Sequence, residues 1–297
     1  MATLKFTQSS YNPLVTVYIT TFNRLALLKR AIQSVKNQTY QNIELIIADD
    51  GSSDGTQEYL KGEAAISNLI AFCNEGDAKG ACFGRNRAIE KANGIFITGL
   101  DDDDYFEPWR IESFVSSWQR LTAEGINYAG LFDSVVEHRK YAKVRCYETA
   151  KVSIRALRRA NVVGNQVFTT AANLREINGF DELMPALQDW DTWIRLTQAK
   201  GDLLNINTFS YVQIHDHGGN RISEKPASKI RFAFERLQSK LAPMSFSEKA
   251  ALMQTMYSYP QINNLFSEIL LICLGGYFRK CAQIINRTYF KKNKQHN

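Results

Sequence analysis

A run of four aspartates at positions 101–104 is the part of this sequence best suited to chemistry. The run comes directly after residues 95–100, an apolar segment that indicates a buried strand. Like charges this close repel one another, whereas Mg²⁺ and Mn²⁺ prefer oxygen ligands and often bind one or two carboxylates together with substrate phosphates. The run therefore predicts either a divalent metal site or a solvated acidic turn, and considered alone it favours the turn.

A second acidic loop, residues 49–55, also follows an apolar segment. Its spacing matches the opening of an EF-hand, but the twelfth position holds Lys61 where a bidentate Glu is required, which excludes that calcium site. No P-loop is present, and residues 20–24 contain no glycine for a dinucleotide fingerprint. We expect Asp50 to contact a ligand by accepting from a base N–H, and Asp54 to be an ordinary turn residue.

Strands and helices alternate in the first hundred residues. Buried strands are predicted at 14–20, 43–48, 69–73 and 95–100, and helices at 25–36, 56–61 and 78–92. This order builds right-handed parallel crossovers and an α/β sheet that is covered on both faces. Ligands of such sheets bind beyond the carboxyl ends of the strands. The polar loops at 20–24, 49–54 and 101–104 are therefore expected to converge on one crevice.

The regular alternation of strands and helices ends after Pro108. Helices are predicted at 109–121, 153–159 and 191–199, and strands at 126–136, 167–170 and 209–214. A boundary is expected near residues 221–227, where Pro226 and several charged residues indicate a linker.

Composition limits the possible classes of protein. A chain of 297 residues can hold one large α/β domain and an appendage. Its five scattered cysteines lack Cys-x-x-Cys spacing, which argues against a disulfide framework or a zinc cluster and fits a reducing compartment. The N-terminus lacks the apolar region of a signal peptide.

The positive charge is concentrated in the tail, which we define as Lys225 onward. The tail contains twelve Lys and Arg against three Glu, whereas the whole chain has a net charge of +6, so the rest of the chain is mildly acidic. Residues 265–278 are very apolar but too short to span a bilayer, and bases interleaved with aromatic residues follow them. This mixture predicts either an interfacial helix on an anionic membrane or a helix packed on the rest of the protein. Nucleic acid is disfavoured as a partner, because no recognised motif accompanies the charge.

Four blocks in the first 110 residues resemble the family 2 glycosyltransferases. The blocks are PLVTV through TTFNR, then ADDGSSDGT, then Gly80 through Arg85-Asn86 to Gly94, then LDDDD with Pro108. They occur in the family's order and spacing, and a thinner resemblance continues at 177–182, 188–195 and 211–223. The resemblance implies the GT-A fold, an α/β, Rossmann-like, mixed and mostly parallel sheet flanked by helices, with a helical C-terminal extension.

The resemblance also implies a division of the chain into two parts. Residues 1–223 would form the catalytic domain, with a nucleotide-binding half at about 13–110 and an acceptor half at about 111–223. Residues 224–297 would form a basic, amphipathic helical extension.

Donor-binding roles follow from the resemblance by position. Thr20 and Asp50 correspond to residues that hold the base and ribose of the nucleotide, and Arg85 and Asn86 to a pair near the donor sugar and diphosphate. The turn after Thr20 contributes three further predicted donor-binding residues, Phe22, Asn23 and Arg24.

Metal-binding roles follow in the same way. Asp101 and Asp103 form the family's DxD pattern, in which the later carboxylate binds the metal and the earlier one leans toward the ribose. Asp102 is included with the donor-binding residues, since some members use adjacent aspartates. The family often has a His near the end of the domain that completes the metal or diphosphate contacts, which corresponds here to His215 or His217.

Asp189 is the candidate general base. An acceptor hydroxyl is a poor nucleophile, so a positioned carboxylate must take its proton as the glycosidic bond forms. Asp189 matches the base of the family's Glu-Asp motif, although Gln188 stands where Glu is usual. We interpret Asp191 as a helix cap. Trp109 and Trp190 are expected in the core, with an apolar platform for an acceptor sugar as the alternative for Trp190.

These residues and the resemblance together predict metal-dependent transfer of a sugar from a UDP-sugar to a hydroxyl of a saccharide that we expect to be lipid-linked, with Mn²⁺ or Mg²⁺ as cofactor. The resemblance implies that the transfer inverts the anomeric carbon. Bacterial surface polysaccharide assembly, such as O-antigen or capsule, is the setting expected by analogy. The location expected is cytoplasmic, or peripheral on the inner face of the cytoplasmic membrane. The alternatives are a glycoside hydrolase with paired carboxylates, and a non-catalytic nucleotide-sugar or polysaccharide-binding module.

Overall fold

The computed structural model describes residues 12–66, 69–139, 142–146, 149–215, 225–262 and 265–294. Its strands are β1 (Val15–Thr21), β2 (Ile43–Asp49), β3 (Leu69–Cys73), β4 (Phe96–Asp101), β5 (Tyr105–Phe106), β6 (Gly130–Phe132), β7 (Val135–Arg139), β8 (Ala142–Cys146), β9 (Lys151–Val152), β10 (Thr169–Thr170), β11 (Leu203–Asn205) and β12 (Tyr211–Ile214). Its helices are α1 (Leu25–Lys36), α2 (Thr56–Ile66), α3 (Ala81–Lys91), α4 (Arg110–Ala123), α5 (Ile154–Leu157), α6 (Ala171–Glu176), α7 (Gln188–Lys200), α8 (Ala227–Lys240), α9 (Phe246–Met256), α10 (Phe266–Leu274) and α11 (Phe278–Lys294).

The central sheet has five strands in the order β10-β4-β1-β2-β3. The four longer strands are parallel, and the short β10 pairs antiparallel with β4. Alternate side chains of β1 enter different hydrophobic clusters, Val17 and Ile19 in one and Tyr18 in the other. Both faces of the sheet are therefore buried, which explains why its strands carry apolar residues on both faces. The mixed, mostly parallel sheet predicted from the sequence is confirmed.

Apolar spacing accounts for the helices that cover this sheet. In α1, Leu28, Ile32 and Val35 recur at helical intervals and are buried against the strands. Helix α3 packs on β1 and β2 from the other side, where a Cβ on Gly84 would lie 3.1 Å from side-chain atoms of both Thr20 and Ala48. A small residue at position 84 is thus what brings the first turn of α3 close to the carboxyl ends of the strands.

Two smaller sheets extend the domain. One has the order β6-β11-β9, and the other has the order β5-β12-β7-β8. Strand β5 follows the aspartate run immediately and pairs antiparallel with β12, with Tyr211 opposite Phe106. This pairing fixes the far end of the acidic run against β12, whose last residues lead to His215.

The single strand predicted at 126–136 is wrong, because two strands form there with Asp133 between them. The buried Asp133 carboxylate accepts from the backbone N–H groups of Thr208, Phe209 and Ser210, at 2.8, 3.1 and 2.7 Å. Arg110, itself buried, lies 3.4 Å away and supplies the compensating charge. These donors stabilise the interruption between β6 and β7, which the apolar pattern of the segment does not predict.

The C-terminal helices pack on the rest of the protein. Phe234 of α8 lies edge-on to Trp190 of α7, with ring centroids 6.4 Å apart, and both belong to one hydrophobic cluster. Lys240 of α8 donates to the buried carboxylate of Asp191 at 2.6 Å. The sequence did not decide whether the tail packs on the protein or lies on a membrane. In the structure, one face of α8 in the tail packs on α7.

The apolar segment 265–278 is not one helix. It forms α10, a turn at Gly275 and Gly276, and the start of α11. Gly276 has φ +88°, a conformation that favours glycine, so the helix ends there. Across the described residues, none of the helices combines the length and hydropathy that crossing a membrane requires.

Candidate active site

Three polar loops meet at one cavity of about 780 Å³ at the carboxyl ends of the central strands. They are the loops after β1, β2 and β4, as predicted, and the end of β12 and the first turn of α3 close the cavity. The residues that line the cavity include Thr20, Phe22, Asn23, Arg24, Asp50, Arg85, Asp101, Asp102, Asp103, Asp104 and His215. The structure thus brings together most of the residues that the sequence selected.

Three of the four aspartates face a common point. Carboxylate oxygens of Asp101, Asp103 and Asp104 all lie within 4.8 Å of one another. Asp102 turns the other way, where it accepts from Thr21 Oγ1 at 2.8 Å and from Arg24 Nη1 at 3.1 Å. This arrangement follows from the chain leaving the strand as a turn, so that adjacent side chains diverge. A cluster of hard oxygen ligands fits Mg²⁺ or Mn²⁺.

Asp101 is held in place by three side chains. Arg85 Nη2 and Gln166 Nε2 donate to its Oδ1 at 3.2 and 3.1 Å, and Asn165 Nδ2 donates to its Oδ2 at 2.7 Å. Neither amide was selected from the sequence. They follow no motif in the aspartate run and reach the site only because the segment before β10 folds back along β4.

Asp104 was also missed as a member of the cluster. Its carboxylate accepts from Tyr211 Oη at 2.9 Å and from the Ile214 backbone N–H at 3.1 Å, both on β12. Burial, together with the charges of Asp101 and Asp103, raises the pKa of Asp104 well above its ordinary value. The available signal was its place in the same run of aspartates, but its partner Tyr211 lies 107 residues away.

Arg24 links Asp102 to Asp103. Its Nη1 lies 3.1 Å from Asp102 Oδ1 and 3.2 Å from Asp103 Oδ2. Burial raises the pKa of Asp102 to about 6, although Arg24 and Thr21 favour its ionised form. Asp103 keeps 20% of its side chain exposed, compared with 7% for Asp102, and so is the more accessible of the two to a ligand in the cavity.

Arg85 connects the acidic run to Asp189. Its Nη1 lies 3.4 Å from Asp189 Oδ1, on the same guanidinium whose Nη2 contacts Asp101. Burial alone would lower the pKa of Arg85, but the two carboxylates raise it above its ordinary value. The guanidinium also lies over the ring of Phe180, 5.1 Å from its centroid. Arg85 is therefore a fixed cation between two acidic groups.

Asp189 lies in the first turn of α7. The preceding Leu187 has φ +60° and no side-chain cap. Asp189 is not among the residues that line the cavity, but it contacts Arg85, which is. Burial and the charge of Asp101 raise the pKa of Asp189 to about 6, while Arg85 opposes that shift. The side chain stays 25% exposed. A carboxylate with this pKa and this exposure can accept a proton near neutral pH.

Asp50 anchors the loop before α3. Its carboxylate accepts from Asn74 Nδ2 at 2.7 Å and from the backbone N–H groups of Lys79 and Gly80 at 2.8 and 2.7 Å. Asp54 accepts from the backbone N–H groups of Leu25 and Thr56, at 2.9 and 3.2 Å, and so belongs to the turn, as expected.

The turn after β1 carries the other predicted donor-binding residues. Asn23, with φ +52°, accepts from the Ser53 backbone N–H at 2.8 Å and so joins the first two loops. Phe22 leaves 47% of its surface exposed at the cavity. Thr20, near the end of β1, also lines the cavity.

Besides Asp189, which contacts Arg85 but does not line the cavity, two predicted site residues, Asn86 and His215, lie apart from the carboxylate cluster. Asn86 is not among the residues that line the cavity, since its amide donates to Phe180 O and Glu182 Oε1, both at 2.9 Å, and accepts from Phe180 N at 2.7 Å. His215 lines the cavity but is not a member of the carboxylate cluster, and its Nε2 lies 3.8 Å from Glu137 Oε2. The alternative, His217, lies outside the described residues.

The expectations for Asp191 and Trp109 are corrected, and the alternatives for Trp190 are decided. The Asp191 side chain caps no helix N–H, because it accepts from Arg195 Nε at 2.9 Å and from Lys240 Nζ at 2.6 Å. Trp109, expected in the core, is 45% exposed, because it precedes α4 at the surface. Trp190 is a core residue rather than a sugar platform, with 2% of its surface exposed and its Nε1 donating to Leu157 O at 2.6 Å.

Comparison with solved structures gives proteins of the same fold. TarS of S. aureus, solved in complex with UDP-GlcNAc, superposes with a TM-score of 0.60 at 15% identity, covering 93% of this chain and 72% of that one. The mannosyltransferase PcManGT of Pyrobaculum calidifontis, solved with GDP-Man and Mn²⁺, gives a TM-score of 0.54 at 17% identity, covering 94% and 87%. At these identities the likeness shows the GT-A fold alone.

Comparison by sequence gives relatives of higher identity than the solved structures. The putative colanic acid biosynthesis glycosyl transferase WcaA of Escherichia coli K12 is 35% identical over 218 residues, which cover 72% of this chain and 77% of that protein. The GalNAc(5)-diNAcBac-PP-undecaprenol beta-1,3-glucosyltransferase of Campylobacter jejuni is 38% identical over 93 residues, or 31% of this chain and 30% of that protein.

The Glycosyl transferase family 2 model matches residues 16–179, which include all three loops of the cavity and the segment that carries Arg85. This match covers more than half of the chain, and the E. coli relative matches 72% of it at a level of identity that implies common ancestry. The chain belongs to glycosyl transferase family 2.

Proposed function

We propose that this glycosyltransferase moves a sugar from a UDP-sugar to a hydroxyl of a saccharide acceptor, with a divalent metal ion and with inversion at the anomeric carbon. One observation carries the proposal: the guanidinium of Arg85, which lines the cavity, contacts both Asp101, another lining residue, and Asp189. That contact joins the acidic run, suited to a metal and a diphosphate, to a carboxylate suited to deprotonating an acceptor. A donor bound along the cavity would present its anomeric carbon between the two.

The nucleotide end of the donor is assigned to the loops after β1 and β2. A carboxylate offers about four acceptor positions, and Asp50 uses three of them on donors that fix its orientation. A base N–H or a ribose hydroxyl can occupy a further one. Phe22 offers an exposed ring at the same cavity, and Thr20 a hydroxyl. These contacts suit a uracil base and its ribose.

The diphosphate end is assigned to the carboxylate cluster and its arginines. Asp101, Asp103 and Asp104 would hold Mn²⁺ or Mg²⁺, and their spacing and oxygen chemistry fit such an ion. A bound ion of this kind supplies charge that offsets the negative charge of a departing diphosphate. Arg24 and Arg85 add fixed positive charge on either side of the cluster. His215, at the same cavity, is proposed as a further contact to the metal or diphosphate.

Asp189 is proposed as the general base. Its raised pKa makes it a better proton acceptor than an ordinary surface carboxylate, and its exposed quarter allows an acceptor hydroxyl to reach it. With a single base positioned in this way, the hydroxyl attacks as its proton passes to Asp189, and UDP leaves from the opposite side of the sugar. This displacement inverts the anomeric carbon. Arg85 keeps the Asp189 carboxylate oriented before the acceptor arrives.

The names of two sequence relatives are the basis for the proposed acceptor and for the proposed kind of biosynthesis. These names refer to colanic acid biosynthesis and to an undecaprenol-linked saccharide. We therefore propose a lipid-linked saccharide acceptor in bacterial polysaccharide biosynthesis, reached on the inner face of the cytoplasmic membrane. We also propose that residues 1–223 act as the catalytic domain and residues 224–297 as an extension. Helix α8 of this extension contacts α7 through the Lys240–Asp191 ion pair.

A donor screen tests the proposal without knowledge of the acceptor. The full chain is incubated with single UDP-sugars and with GDP-mannose, in Mn²⁺, and slow release of nucleoside diphosphate is measured. The proposal predicts release from at least one UDP-sugar that stops on adding EDTA. Release from GDP-mannose alone would overturn the UDP assignment, and release insensitive to EDTA would overturn the metal assignment.

A further inference from the structure

The C-terminal helices present a row of large apolar side chains to solvent. Leu265, Phe266, Leu270, Leu274 and Phe278, here called the C-terminal stripe, are 50, 83, 49, 68 and 71% exposed. Positions 266, 270 and 274 are four residues apart, so they share one face of α10. Isolated exposed apolar residues are common on protein surfaces, but five within fourteen residues of chain, three of them on one face of a helix, usually mark a surface that docks on something.

The opposite face of α10 is fixed to the protein, so the stripe has a defined orientation. Ile272 is fully buried, and a Cβ on Gly275 would lie 2.3 Å from Ala250 Cβ, which shows how closely α10 approaches α9. Glu268 pairs with Arg231 at 2.9 Å and also accepts from Tyr257. The one acidic residue of α10 therefore faces inward, and the exposed side of this helix carries no acidic group.

Charge identifies the kind of surface that the stripe fits. After Glu268 the sequence contains six Lys and Arg and not one Asp or Glu. Arg279 directly follows the stripe and is exposed, and the rest of these bases lie further along α11. Apolar side chains next to clustered bases are the pattern of helices that lie in the headgroup region of an anionic bilayer.

We propose that the C-terminal stripe docks this protein on an anionic lipid surface, with α10 lying in the plane of the membrane. A second copy of the chain is the less suitable occupant, because a two-fold contact would set two strongly basic segments against each other. Docking relies on the stripe and the bases alone, and it does not require the proposed transfer reaction. Where both hold, docking brings the cavity to the membrane that carries a lipid-linked acceptor.

Vesicle flotation tests the proposal. The full chain is mixed with vesicles of phosphatidylcholine, or with vesicles of equal parts phosphatidylcholine and phosphatidylglycerol. We expect binding to the mixed vesicles that weakens with added salt. The double variant Phe266→Ser with Leu274→Ser should bind about tenfold more weakly or worse, since it removes the most exposed side chains of α10. The matched control is Ile95→Ser with Ile126→Ser, two exposed residues outside the stripe, which should bind like the original chain.

A charge variant keeps the test independent of any damage to α10. Arg279→Gln with Lys292→Gln leaves the stripe intact and should weaken binding to the anionic vesicles, with thermal unfolding and donor hydrolysis unchanged. Equal binding of the stripe variant and the control would overturn the proposal. So would light scattering that detects a dimer in the original chain and a monomer in the stripe variant. Because hydrolysis is measured separately, a failure of docking is distinguishable from a failure of the proposed reaction.

Discussion

The guanidinium of Arg85 spans two carboxylates that lie far apart in the sequence, with Asp189 Oδ1 3.4 Å from one terminal nitrogen and Asp101 Oδ1 3.2 Å from the other. Asp101 ends β4, and Asp189 lies in the first turn of α7. The fork geometry of arginine allows both contacts at once, which a single ammonium group does not reproduce. Arg85 thus sets the position of the proposed base relative to the proposed metal site.

The first prediction concerns the two contacts of the Arg85 guanidinium. Arg85→Lys keeps a positive charge but loses one of the two contacts, so kcat should fall about 100-fold or more, as when one stabilising donor is removed from an active site. The measurement is donor hydrolysis, followed by transfer once an acceptor is known. Arg120→Lys is the control, because Arg120 pairs with Glu124 on the exposed side of α4. Similar rates for both variants would contradict the role of Arg85.

The second prediction concerns pH. Asp189 acts as a base only when ionised, and its pKa is raised to about 6, so activity should be present above about pH 6 and be lost as the pH falls through that value. Since Arg85 holds this pKa down, Arg85→Gln should move the acid limb of the rate profile to higher pH.

Asp102 also has a pKa near 6 and serves as the control for this assignment. Its carboxylate accepts from Thr21 and Arg24 rather than from Arg85, the residue that contacts Asp189. Asp102→Asn should therefore change the rate while leaving the position of the acid limb unchanged. A limb that disappears in Asp102→Asn would assign the titration to Asp102 instead.

The third prediction separates the members of the aspartate run. Asp104→Asn keeps an acceptor for the Ile214 N–H but replaces one carboxylate oxygen of the cluster by an amide nitrogen, which is a poor ligand for a metal ion, so Mn²⁺-dependent binding of UDP should weaken about 10- to 100-fold. Asp102→Asn, outside the cluster, should weaken it much less. Calorimetric titration of UDP with and without Mn²⁺ measures both. Equal losses would mean that the cluster does not define the metal site.

Much of this architecture was predictable from local pattern, and the residues that were missed show why the rest was not. The segments now seen as α1 and β3 were predicted with their observed bounds, because apolar spacing and apolar runs determine them locally. The family blocks predicted the fold and the enzyme class, and the family match confirms a transferase rather than a hydrolase. The predicted roles of individual residues stay predictions.

The sequence did not predict which residues far apart in the chain form hydrogen bonds with one another. Asn165 and Gln166 reach Asp101 across about 65 positions of chain, and nothing in their local sequence distinguishes them from other amides. Asn86 was predicted to bind the donor because it matches a family position beside Arg85, and in this structure its amide contacts Phe180 and does not line the cavity. Neighbours on a helix point about 100° apart, so adjacency in sequence does not imply a shared site.

The fourth prediction concerns the contact of α8, in the proposed extension, with α7 of the proposed catalytic domain. Lys240→Met removes a partner from Asp191, which is 1% exposed, and from Asp181, and should lower the free energy of unfolding by about 1–3 kcal/mol, as expected for a buried charge that loses a hydrogen bond. Urea denaturation measures the loss. Arg120→Met breaks an exposed pair and should cost under about 0.5 kcal/mol. Equal losses would show that the Lys240 contact adds no more than an exposed pair.

The most direct test of the proposed mechanism is the effect of Asp189→Asn on turnover and on UDP binding, measured on the same preparation. If Asp189 is the base, kcat for transfer should fall about 10²- to 10⁴-fold. The dissociation constant for UDP with Mn²⁺ should stay within about threefold of the original, because the nucleotide and metal contacts lie on other loops. Unchanged turnover in the variant would contradict the central claim that Asp189 takes the proton of the acceptor.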